Sequence, residues 1–104
     1  MTTRIEKLKM LLLENSADSF LQHALALEYI KLDRDKEAEA IFVLLLEKNP
    51  DYFGSYYHLA KLLERIGETD KAIEVYKRGM EKTKALFENH AYNELRSAYE
   101  ELIF

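Results

Sequence analysis

The sequence predicts an all-α fold of about six helices arranged as antiparallel helix-turn-helix repeats, and three observations carry that reading. Only one proline and three glycines stand in 104 residues, too few breaks for a chain of short strands and turns. Apolar residues recur at three- and four-residue spacing, the period of one helical face, and no alternating strand pattern competes. The stretch LDRDKEAEAIF, residues 32–42, returns 34 residues later as IGETDKAIEVY, residues 66–76, and a fixed period of this kind marks a repeat array.

Taken in order, a first helix is expected over residues 3–14 with Ile5, Leu8, Leu12 and Leu11 inward. Asn15-Ser16-Ala17-Asp18 makes a turn in which Ser16 or Asp18 caps the second helix. That helix carries Leu21, Ala24, Leu25, Tyr29 and Leu32 on one side and ends near Asp33. Asp35 then caps a third helix that runs to about Lys48, and Pro50 closes the unit. A fourth helix starts near Tyr52, buries Tyr56, Leu59, Ala60 and Leu63, and stops at Gly67, the residue best suited to a left-handed C-terminal position. Thr69 caps the fifth, whose inward stripe is Ala72, Tyr76 and Gly79. A last helix over residues 89–102 has Tyr92, Leu95, Tyr99 and Leu102 at helical spacing.

The chain has the length of one domain, 1–104, with no room for a second. Hydrophobic residues at 48%, charged residues at 33% and a net charge of −4 describe a folded rather than a disordered chain. The acidic balance disfavours nucleic acid and anionic membranes, both of which need clustered positive charge. With no cysteine there is no disulfide framework, thiolate metal site or cysteine nucleophile. The longest apolar runs, Met10 to Leu13 and Ile41 to Leu46, fall far short of the roughly 20 residues that span a bilayer. No export signal is visible, and the expectation is a cytoplasmic protein.

Shifting the chain by 34 residues superposes Leu25 on Leu59, Ala26 on Ala60, Tyr29 on Leu63, Asp35 on Thr69, Ala38 on Ala72 and Phe42 on Tyr76. This pattern of large, small and aromatic positions resembles the tetratricopeptide repeat, a helix-turn-helix unit of the same period. The resemblance covers a first repeat at 19–52 and a second at 53–86. It departs from the family at Gln22, Asp33, Leu45 and Lys84, which stand for a large aromatic, the turn glycine, a small residue and the terminal proline; without that proline the fifth helix is free to run on toward Ala85. The resemblance implies a short right-handed solenoid, in which the first helix is half of a preceding repeat and the last is a solvating cap; the expectation is a complete stack. Ala26, Ala60, Ala38 and Ala72 let paired helices approach to about 8–10 Å.

The resemblance also implies a concave groove lined by the first helix of each pair. Its facing residues are Phe20, His23, Ala24, Leu27, Ile30 and Lys31, then Gly54, Tyr57, His58, Lys61, Glu64 and Arg65. From these the partner-binding set is Phe20, His23, Leu27, Lys31, Tyr57, His58, Lys61 and Arg65. Phe20, Leu27 and Tyr57 suit a desolvated centre for a peptide or helix of a partner protein, and Lys31, Lys61 and Arg65 a rim that meets acidic groups. The plainer reading has Phe20 and Leu27 only packing against neighbouring helices. Chaperone-binding members hold a C-terminal carboxylate with Lys and Asn where this chain has His23, Leu27 and His58, so the resemblance does not extend to chaperone tails.

His23, His58 and His90, spaced by 35 and 32 residues, invite a metal reading. Helices about 10 Å apart do not bring three imidazoles to within about 2 Å of one zinc ion, so no metal and no cofactor is expected. No phosphate loop, nucleophile motif or convergent carboxylate pair is present, and the reading is non-catalytic. One anomaly remains. Where the second repeat has Lys77 and Arg78 on its convex side, the first has Val43 and Leu44. The first helix is expected to cover them; the alternative is a self-association module, a homodimer rather than a monomer, built on that apolar patch.

Overall fold

The computed structural model describes residues 3–104, and the first two positions of the expected 1–104 domain lie outside them. Six helices follow one another: α1 Arg4–Glu14, α2 Ser19–Lys31, α3 Asp35–Lys48, α4 Gly54–Arg65, α5 Thr69–Ala85 and α6 Asn89–Ile103. They gather into two compact units, Met1–Asn49 and Pro50–Phe104. No strand occurs among the described residues, and none of their helices is long and apolar enough to cross a membrane.

In the first unit short polar side chains set the starts of α1 and α2. The Thr3 hydroxyl accepts from the Glu6 amide at 3.1 Å and the Asp18 carboxylate from the Leu21 amide at 3.0 Å, each satisfying a donor that the first helical turn leaves open. α2 ends with Asp33 at φ 58° while the Arg34 amide donates to the Tyr29 carbonyl at 2.9 Å. Asp33 replaces the family glycine yet keeps the left-handed turn, because a short carboxylate tolerates that region better than most side chains. α2 packs against both α1 and α3. Ala26, Ala38 and Phe42 are fully enclosed: two small residues admit close backbones and the aromatic ring fills the space beside them. Burying a side chain of that size contributes roughly 1.5–3 kcal/mol.

In the second unit α5 packs on both α4 and α6, which also touch each other along a short stretch. Gly79 makes this closeness possible. A Cβ at that position would lie 2.8 Å from the Tyr56 Cβ and 2.9 Å from the Leu95 Cδ1, so the helices on either side of α5 use the space a side chain would take. Tyr56 is anchored by its hydroxyl, which donates to the Pro50 carbonyl at 2.6 Å. Thr83, fully buried, donates to the Gly79 carbonyl at 2.8 Å, so its hydroxyl is not left unmet inside. Gly67 at φ 84° ends the link from α4 and lets the Glu68 amide reach the Leu63 carbonyl at 2.8 Å. α5 runs to Ala85, and Phe87 takes up φ 59° in the turn that follows.

Several local expectations are corrected. Asp35 and Thr69 are not caps but first residues of α3 and α5, whose cap positions, Arg34 and Glu68, make no side-chain cap bond. α4 starts at Gly54 rather than near Tyr52. Leu11 and Leu32 are exposed rather than inward, since α1 presents Leu8 to its neighbour and Leu32 lies beyond the last turn of α2. Most telling, α1 packs on α2 and leaves Val43 and Leu44 41% and 49% exposed, so the first helix does not cover them.

Candidate functional site

On α2, Phe20, His23, Leu27 and Lys31 follow at intervals of three and four, which places them on one stripe. Phe20 is two-thirds exposed. Leu27 is half-buried, and the His23 ring meets Phe42 edge-on with centroids 5.6 Å apart. The Lys31 ammonium is 3.0 Å from Glu28, which also takes Arg4 at 3.4 Å. Its positive charge is therefore already answered by its own helix.

On α4 the corresponding residues are Tyr57, His58, Lys61 and Arg65. Tyr57 and His58 stand edge to face at 5.9 Å, and the Lys61 ammonium lies 5.9 Å from the Tyr57 ring centroid, within range of a cation–π attraction. Lys61 is also 3.8 Å from the Glu64 carboxylate. Glu64 in turn accepts the Tyr76 hydroxyl hydrogen; burial first, and then this carboxylate, hold the Tyr76 phenol far above its ordinary range. Burial pushes the His58 imidazole below its usual value, opposed by the charge of Glu94 across on α6. Arg65 is exposed near the end of the helix.

α6 completes the arrangement. A recess of about 370 Å³ opens between Tyr57 and Lys61 of α4 and a stripe of α6 that includes His90, Asn93, Glu94, Ser97, Ala98 and Glu101. The α6 side of this recess was not among the expected site residues, because a capping helix with polar residues reads as solvent-facing. The signal was nonetheless present: positions 90, 94, 97 and 101 repeat at helical spacing on the side opposite Tyr92, Leu95 and Tyr99. A larger recess of about 490 Å³ runs along α5 and is lined by Glu74, Lys77, Arg78, Glu81 and Lys84 with Met80 and Tyr92. Both recesses include an aromatic ring and charged side chains of both signs, but the α4/α6 recess adds the amide of Asn93 and the hydroxyl of Ser97. Directional groups beside an aromatic surface are the better recognition chemistry. Among the described residues no group of three histidine or carboxylate side chains could hold a metal ion.

Comparison with known proteins bears on this geometry. A family profile described as tetratricopeptide repeat matches residues 42–74, which begin inside α3, take in α4 and enter α5. The solution structure of a tetratricopeptide repeat domain protein from Salinibacter ruber is 41% identical, with a TM-score of 0.79 over 82% of this chain and 86% of that one. The chain belongs to the tetratricopeptide repeat family. The crystal structure of the Salinibacter ruber tetratricopeptide repeat domain gives the same identity with a TM-score of 0.78, covering 82% of this chain and 94% of that one. A protein from Bordetella parapertussis shares the fold at 19% identity, with a TM-score of 0.85 over 99% of this chain and 90% of that one. None of the curated proteins compared matches the chain. Tetratricopeptide repeats generally mediate protein–protein interaction and are generally non-catalytic.

Proposed function

We propose that this tetratricopeptide repeat protein is a non-catalytic binding module that docks a segment of a partner polypeptide against the α4/α6 recess, with Tyr57 and Lys61 on one wall and Asn93 and Ser97 on the other. The observation that carries the reading is the recess itself, in which two expected contact residues of α4 face hydrogen-bonding groups of α6. An open volume of about 370 Å³ lies within the span typical of ligand pockets. On α2, Phe20, His23, Leu27 and Lys31 serve as a second contact stripe, with Phe20 the natural apolar anchor because so much of its ring is exposed in the free chain. His58, beside Tyr57, and Arg65 at the end of α4 complete the set. A sequence without cysteine suits a cytoplasmic setting.

The test is selection of short random peptides displayed on phage against the wild-type chain and against a Tyr57→Ala, Lys61→Ala variant. Peptides enriched on the wild type should be lost on the variant. Equal enrichment on both would remove the recess from the reading.

A second reading has one observation behind it. Val43 and Leu44 are apolar neighbours left exposed on α3, and self-association through them would bury both. Light scattering across a concentration series distinguishes this reading: wild-type mass should rise where that of Val43→Glu stays monomeric.

A further inference from the structure

We infer that the segment taken by the α4/α6 recess is basic, an extended stretch with two Lys or Arg side chains three positions apart, one set on Glu94 and the other on Glu101. The inference rests on the function proposed above and deepens it, and it reverses the partner chemistry that Lys31 and Lys61 suggest in sequence. Those lysines lead to an acidic partner only while their charges are free. Lys61 stands 3.8 Å from Glu64 on its own helix, and its positive charge is balanced there. Across the recess the α6 wall contributes two carboxylates, Glu94 and Glu101.

Neither carboxylate is neutralised by a strong partner. Glu94 is 58% exposed; its ion-pair neighbour among the described residues is His90, 3.9 Å away on an almost fully exposed side chain, and its charge also reaches His58. Glu101 has no basic side chain paired with it among the described residues. The neighbouring Arg96 is engaged with Glu100 at 3.5 Å. With Lys61 paired to Glu64, the weakly paired Glu94 and Glu101 leave the recess with a negative balance and a net preference for cations.

The spacing defines the ligand further. Glu94 and Glu101 are seven residues apart on one helix, about 10 Å at 1.5 Å per residue. Three residues in the extended polyproline II conformation span nearly the same distance, about 9 Å, and with three residues per turn positions i and i+3 face the same side. A Lys-x-x-Lys segment in that conformation therefore puts one ammonium on each carboxylate.

Fluorescence anisotropy with labelled synthetic peptides tests this on the full chain. Three peptides share an Ala- and Leu-based background and contain Lys-x-x-Lys, Glu-x-x-Glu or two adjacent lysines. The Lys-x-x-Lys peptide should bind tightest, weaken as salt is raised, and lose about fivefold in affinity on Glu94→Gln with Glu101→Gln, as expected for two exposed charge pairs. Glu94→Lys with Glu101→Lys should invert the order and favour Glu-x-x-Glu. Both positions are exposed on α6, and circular dichroism verifies that the variants fold. If wild type prefers Glu-x-x-Glu and loses it on Tyr57→Ala, the recess binds a partner but the basic assignment is wrong. If the Lys-x-x-Lys peptide binds equally to wild type and to the Tyr57→Ala and Gln variants, or no peptide binds at all, both the inference and the recess reading fail.

Discussion

Gly79→Ala is the sharpest probe of how the second unit is packed, because two effects of opposite sign meet at one atom. In an open helix interior, alanine is favoured over glycine by about 1 kcal/mol. Here the added Cβ would sit 2.8 Å from the Tyr56 Cβ, 3.0 Å from its Cγ and 2.9 Å from the Leu95 Cδ1. The Leu95 methyl is the end of a flexible chain and can turn aside. The stem of Tyr56 cannot, because its far end is fastened to the Pro50 carbonyl at 2.6 Å and Arg78 lies over its ring. Overpacking of a close-fitted site costs about 1–3 kcal/mol, and a neighbour that cannot withdraw puts this one near the top of that interval. After the propensity gain, a net loss of about 2 kcal/mol is expected, which for a domain of this size lowers the melting temperature by roughly 8–16 °C. Gly54→Ala supplies the contrast. Nothing lies within 4 Å of a Cβ there, so that variant should gain about 0.4–1 kcal/mol. Thermal unfolding followed by circular dichroism reads both. A Gly79→Ala chain that melts at or above wild type would refute the packing argument.

Two further outcomes are expected. Asp18→Ala removes the carboxylate that accepts from the Leu21 amide and should cost about 1 kcal/mol, seen as a lower urea midpoint with an unchanged slope and faster amide exchange at Leu21. Burial keeps the folded His58 pKa below its ordinary value, so the unfolded chain binds the proton more readily; the stability this contributes is full above about pH 6.5 and declines as pH falls through that value. His58→Gln should flatten the fall in melting temperature between about pH 6.5 and the folded value, and an identical slope in the variant would rule out His58 as its source.

The helical plan was legible because its causes are local in sequence. The 34-residue echo, the small residues at Ala26, Ala38, Ala60 and Ala72, and the aromatic pair Phe42 and Tyr76 each act through contacts with a neighbouring helix. The turn at Asp33 shows where that legibility holds despite a departure: the backbone needs a left-handed residue, and aspartate supplies one without glycine. Caps were read less well. Asp35 and Thr69 have the right chemistry for capping but stand one residue inside their helices, a difference decided by the path of the preceding turn. The exposure of Val43 and Leu44 was only one of two readings open in sequence, since it depends on which helix α1 packs against. Half of the candidate site was legible from α4. The α6 half was missed because a polar stripe on a capping helix has the same composition whether it faces water or a recess.

The charge of the recess illustrates the same limit. Lys31 and Lys61 read in sequence as a basic rim, but each lies beside a glutamate three residues away on its own helix. Pairing of this kind changes what a surface recognises without changing its composition.

The most direct test of the account is an amide NMR titration of the full chain with the Lys-x-x-Lys peptide. The account predicts that shifts gather at Tyr57 and Lys61 on α4 and at Asn93, Glu94, Ser97 and Glu101 on α6. Shifts that leave these residues unmoved and cluster along α5, or around Val43 on α3, would contradict it.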